Sequence, residues 1–234
     1  MTPESFIATL AATHLPSVFN PWSDRCAVHD RKDAAARRRD NLKRVLEAAI
    51  EARVETMWIA RDLGYRGGRR TGVPLTDEVH LDQAGILLGG VALERATQGP
   101  IVAERTAAII WRVLEQIRQP VVLWNIFPFH PHETADPFSN RCHTRDERKA
   151  TWPLLQALIA MIQPRQIIAI GRDAHLALGD LDTPTTAVRH PSYGGQREFI
   201  DGMFAIYGTD SETDQMLPLQ RHEPHAATRS CALA

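Results

Sequence analysis

Short apolar runs of strand length, alternating with helical sequence, constrain this chain more than any other feature. The runs are VETMWIA (54–60), PVVLWN (120–125), QIIAIG (166–171) and TTAVR (185–189). Helical spacing is expected at about 4–14, 33–53, 82–88, 102–118, 144–162, from about 172, and at 196–207. Asp33 stands where it could cap the second of these helices. Thr144-Arg145-Asp146-Glu147 fits a capping box. Near-continuous apolar strands alternating with helices imply an α/β fold whose parallel sheet is covered on both faces. Ligands of such sheets bind beyond the carboxyl ends of the strands. Three polar loops should therefore converge on one crevice.

Composition excludes other classes. The chain has 234 residues, 44% hydrophobic and 24% charged, which suits one generous domain. A domain over 1–208 and a polar, flexible tail over 209–234 are expected. No apolar run approaches the roughly 18 residues that a membrane span needs. The N-terminus lacks the pattern of a secretory signal. Cys26, Cys142 and Cys231 are too few and too scattered for a disulfide framework, so a reducing cytoplasm is the expected setting. Net charge is −1. Even so, seven Lys/Arg crowd residues 31–44 and four Arg crowd residues 61–70. Such runs either track phosphates or form the solvated face of a helix.

The first loop offers Asp62 just past a strand, among Gly64, Tyr65, Gly67 and Gly68. A carboxylate there can orient water or stabilise a cation, or simply cap a turn. The glycines allow close approach of a ligand. No Gly-Lys-Ser/Thr follows, so this is not a phosphate-binding P-loop. The second loop opens on Asn125 at a strand end, where an amide can read the edge of a base or stabilise a turn. His130, His132, Glu133, Cys142 and His143 follow. They invite a metal reading, but they lack the usual ligand spacing, and loop-stabilising roles fit them better. The third loop carries His190-Pro191-Ser192. A histidine there can donate to charge developing on a leaving group. Asp, Asn and His-Pro-Ser in this order are what cutting a glycosidic bond to a base would need.

The segments ARDLGYRG, LWN and HPSYGG resemble, in order and spacing, the motifs of the uracil-DNA glycosylase superfamily, across about residues 57–195. YRGGRRTGVPLTDE, NIFPFHPH and NRCHTRDE resemble a bacterial branch of it. The resemblance implies a three-layer α/β/α fold around a four-stranded parallel sheet. It implies a monofunctional hydrolase that removes uracil from DNA in base excision repair, leaving an abasic site. No metal or organic cofactor and no obligate protein partner would be needed, and a monomer is expected. By position, Asp62 and His190 would be catalytic. Asn125, Gly64, Tyr65 and Leu75 would surround uracil. Arg66, Arg69, Arg70, Ser192, Tyr193, Gln196 and Arg197 would grip DNA.

Departures from the pattern shape the expectations. Gly64 stands where the best-known branch has a thymine-excluding Tyr, so thymine exclusion comes from elsewhere, with Tyr65 one candidate, or is leaky. Leu75 stands where most members stack a Phe on uracil, so apolar contact replaces stacking, or Phe127 or Phe129 supplies it. Gly194 replaces an apolar wedge, leaving Tyr193, Gln196 or Arg197 to fill the duplex. Three cysteines cannot ligate a four-cysteine iron–sulfur cluster. The alternatives are a protein that holds uracil-DNA with little turnover, a glycosylase of broader deaminated-base specificity, and a metal-dependent hydrolase.

Overall fold

The computed structural model describes residues 1–179 and 181–208. The expected tail and Cys231 lie outside the described residues. In chain order the elements are α1 (Pro3–Ala12), β1 (Val18–Phe19), α2 (Ala34–Glu51), β2 (Thr56–Asp62), α3 (Gly68–Thr71), α4 (Leu81–Leu87), α5 (Arg105–Ile117), β3 (Val122–Phe127), β4 (His130–Pro131), α6 (Arg145–Ile162), β5 (Gln166–Ile170), α7 (Arg172–Ala177), β6 (Thr185–Val188) and α8 (Gln196–Tyr207). Four strands form one sheet in the order β3-β2-β5-β6, and every neighbouring pair is parallel. β1 and β4, which the sequence patterns did not suggest, pair antiparallel beside it.

Successive side chains of a strand point to opposite faces, and here both faces are apolar. Met57, Ile59, Trp124, Ile126, Ile167 and Ala169 join the core formed with α1, α2, α6 and α7. Trp58, Ala60, Leu123, Ile168, Ile170 and Val188 join the core formed with α5 and α8. The fold is therefore the expected three-layer α/β/α sandwich. No helix among the described residues is long and apolar enough to cross a membrane.

Two strands run further than their apolar runs. β2 includes Arg61 and Asp62, and β3 runs two residues beyond Asn125. The cause is the register, which pairs Ala60 with Asn125 and Asp62 with Phe127. Asp62 is thus the last residue of a strand, and Asn125 lies within one. At helix starts, Thr144 and Glu147 form the expected capping box. Asp33 makes no side-chain cap, because its carboxylate is taken 2.8 Å away by Arg37 Nε.

The basic run of α2 ties loops to the helix. Arg38 is buried against Asp30 and donates to the Arg70 carbonyl at 3.1 Å. Arg39 donates to the Trp22 carbonyl at 2.6 Å and Arg44 to the Ala92 carbonyl at 2.7 Å. Lys43 pairs with Glu4 at 2.9 Å. Gly72, at φ +75°, packs against Arg38, where a Cβ would lie 2.7 Å from the Arg38 Cα. Removing one partner of a buried ion pair strands the other charge, at a cost of about 3–5 kcal/mol. Arg38→Ala should destabilise the protein by about that amount in urea unfolding. A change below about 1 kcal/mol would show that the pair is not structural.

Candidate active site

The carboxyl ends of the four sheet strands open into one cavity of about 580 Å³. Asp62 reaches it from the end of β2 and Gly64 from the loop after it, Asn125 from β3, Gly171 from the end of β5, Asp173 from the first turn of α7, and His190 and Ser192 from the loop after β6. Leu75 and Glu104 complete the wall.

Asn125 is fully buried. Its Nδ2 donates to the Asp62 carbonyl at 2.9 Å, which assigns the amide oxygen to the other side. That Oδ1 has no hydrogen-bond partner. A buried acceptor without a partner costs about 1–3 kcal/mol, so the position suits a ligand that brings a donor.

Asp62 is held on both oxygens. Arg61 Nε donates to Oδ2 at 2.6 Å, while the His143 ring binds Oδ1 and the His143 N–H approaches it at 3.3 Å. A carboxylate only accepts, so Nδ1 of His143 carries the proton. His143 is itself stacked on Phe127, 5.4 Å between centroids. Arg61 is anchored at its far end by Asp173 at 2.6 Å. The carboxylate is therefore fixed in direction.

His190 is fixed in tautomer. Its Nδ1 accepts from the Ser192 N–H at 3.2 Å, and the Ser192 hydroxyl lies 2.6 Å from the same atom. The neutral ring must then carry its proton on Nε2. Burial, and then the charges of Arg61 and Arg189, lower its pKa and keep the ring neutral. His190 rests on Gly171, whose φ is +91° and where a Cβ would lie 3.1 Å from the His190 Cβ.

The other expected site residues divide. Leu75 lines the cavity, whereas Phe127 and Phe129 are core residues outside its wall. Tyr65 is turned away from the cavity. Its hydroxyl lies 3.1 Å from His29 Nε2, and its ring packs on Phe138, so it does not face a base. Arg69 and Arg70 are only 4% exposed each, which removes them from a DNA grip. Arg69 binds His130 at 2.9 Å and lies 4.0 Å over the Phe19 ring, and Arg70 pairs with Glu78 at 3.2 Å. Ser192, expected at a phosphate, spends its hydroxyl on His190. Arg66, Tyr193 and Arg197 are exposed, and Gln196 is half-buried. Tyr193 is 96% exposed and has a φ of +53°.

Two of the second-loop histidines, His130 and His132, bind only neighbouring loop and side-chain groups. His130 accepts from Arg69 at Nδ1 and donates to the Ser139 carbonyl at 2.8 Å from Nε2. Burial, followed by Arg69, pushes its pKa down to about 3. Among the described residues no His, Cys, Asp and Glu side chains gather as a metal would require. The sequence reading gave His143 a metal-ligating or loop-stabilising role rather than its contact with Asp62, and it missed Arg61 and Glu104. The adjacency of Arg61 to Asp62 was available, but the other two act across long sequence separations.

The Uracil DNA glycosylase superfamily model matches residues 40–203, so the chain belongs to that superfamily. In structure it is similar to wild-type SMUG2 of Pedobacter heparinus, with a TM-score of 0.57 at 11% identity. That match covers 88% of this chain and 96% of the other, and it shows a shared fold. No curated protein matches the chain in sequence.

His143→Ala should release the Asp62 carboxylate and lower turnover on the family's DNA substrate by about 10–100-fold, with DNA affinity little changed. Equal turnover in single-turnover kinetics would remove His143 from the site.

Proposed function

We propose that this protein is a monofunctional uracil-DNA glycosylase that acts as a monomer in base excision repair. The observation that carries the reading is the unpartnered Oδ1 of Asn125, set in the same cavity as Asp62 and His190. Uracil presents an N–H at N3, and Oδ1 can accept it. Cytosine presents a lone pair there, leaving two acceptors face to face. Sites that leave buried polar groups unpaired with the wrong ligand discriminate by about 10⁴–10⁵.

The chemistry follows from the fixed side chains. The bond from C1′ to N1 breaks, and its electron pair leaves on uracil. His190 Nε2–H donates to the carbonyl oxygen on which that charge develops, a contribution of about 10²–10³ in rate for a donor of this kind. The sugar gains positive charge, which the Asp62 carboxylate offsets. Because His143 and Arg61 hold both oxygens, Asp62 acts as an oriented anion that positions water for attack at C1′. Water supplies the new C1′ oxygen and returns a proton, and an abasic site remains.

The base must leave the stack to enter the cavity. Arg66, Arg172, Arg189 and Arg197 are exposed around the three loops and suit phosphate contacts. Tyr193, held outward in a left-handed conformation, suits the space that the base vacates.

A labelled oligonucleotide carrying one uracil, treated in EDTA and then with alkali, should break at that site with the wild type. Asp62→Asn should lower the rate by more than about 100-fold while DNA affinity changes little. Equal rates would remove Asp62 from the mechanism. DNA retained in a protein-sized band on a denaturing gel would indicate holding rather than cutting.

A further inference from the structure

Gly64 leaves the first loop without a side chain, and the space is filled from elsewhere. A Cβ built at Gly64 or at Gly67 would collide with the Glu104 carboxyl. Glu104 stands at the N-cap position of α5 but makes no side-chain cap there. Its segment is pinned by two buried carboxylates. Asp77 accepts from the Glu104 N–H at 2.6 Å, and Glu78 accepts from the Val102 N–H at 2.9 Å. Glu78 is in turn held by Arg70 at 3.2 Å and Arg95 at 3.1 Å. The chain thus spends a buried ionic network on delivering one carboxyl across the first loop, into the cavity wall shared with Asn125 and His190.

We infer that Glu104 is the specificity-determining wall of the base pocket, meeting the edge of the base that a side chain at position 64 would otherwise meet. The inference rests on excision of a base from this cavity. Its chemistry depends on charge. Burial, then the nearby Asp77 carboxylate, push the Glu104 carboxyl up to about 7, against the pull of Arg66. Asp62, Cys142, Asp173, His190 and Tyr193 are the other titratable groups of the cavity wall, and Arg61, Arg141, Arg172 and Arg189 are its cations. Below that value the neutral acid can donate to a base carbonyl. Above it the carboxylate can only accept, and it opposes both a carbonyl and a leaving anion. The carboxyl also occupies volume, so a substituent on that edge meets an atom rather than open space.

The test compares wild type, Glu104→Ala and Glu104→Gln on single-stranded oligonucleotides with one uracil or one thymine among otherwise resistant bases, from pH 6 to pH 8.5. Glu104→Ala should raise the thymine-to-uracil rate ratio by about tenfold or more, since one methyl group in an apolar pocket is worth about 10–200-fold. Wild-type uracil turnover should fall as pH rises through about 7, the value at which Glu104 ionises. Glu104→Gln, which keeps the size but cannot ionise, should lose that fall. An unchanged ratio in Glu104→Ala, together with an unchanged pH profile in Glu104→Gln, would overturn the inference while leaving uracil excision intact. Should Glu104→Ala fail to fold, as judged by circular dichroism, the Gln profile alone decides. A wild type that releases no base at any pH would overturn the excision reading, and the inference with it.

Discussion

The bond from the Asn125 amide to the Asp62 carbonyl, 2.9 Å long, joins the two strands at the point where the site begins. It depends on a parallel register that sets Ala60 beside Asn125. Shifting that register by one residue would turn Asn125 into the core and an apolar neighbour into the cavity. The same bond consumes one donor of the amide and leaves its oxygen free and buried. The register thus places the carboxylate and the Asn125 amide side by side in the wall of one cavity, with the amide acceptor buried and unpartnered.

Around this pair, charge is used for position more than for attraction. Net charge is close to neutral, and three arginines of the Arg-rich runs, Arg38, Arg69 and Arg70, are buried. Arg38 ties α2 to Asp30, Arg69 ties the first loop to His130, and Arg70 ties it to Glu78. Arg61 braces Asp62 against Asp173. Each buried guanidinium satisfies carbonyls and carboxylates that loops of this length would otherwise leave unpaired. The exposed arginines nearest the site are Arg66, Arg172, Arg189 and Arg197.

The fold was legible because its signals are local. The apolar runs that became β2, β3, β5 and β6, and the capping box at Thr144, are patterns within a dozen residues. Asp62, Asn125 and His190 were legible as candidates because each closes such a run. What stayed hidden lies in contacts between distant segments. Tyr65 is adjacent to the site in sequence, yet it turns toward His29 and Phe138. Arg69 and Arg70 read as surface charges until Glu78 and His130 meet them. Glu104 lies 40 positions from Gly64 in the chain and fills the space above it. The turn of Tyr65 from the cavity and the burial of Arg69 and Arg70 share one reason: composition near a motif does not fix the direction of its side chains.

In the proposed reaction, fixed side chains in one cavity direct water to C1′ while uracil leaves. The most direct measurement is the reaction of uracil-DNA in ¹⁸O-water, with mass spectrometry of both products. The expected result is unlabelled free uracil and one ¹⁸O at C1′ of the abasic sugar. No release of uracil, or a sugar that remains joined to the protein without the label, would contradict it.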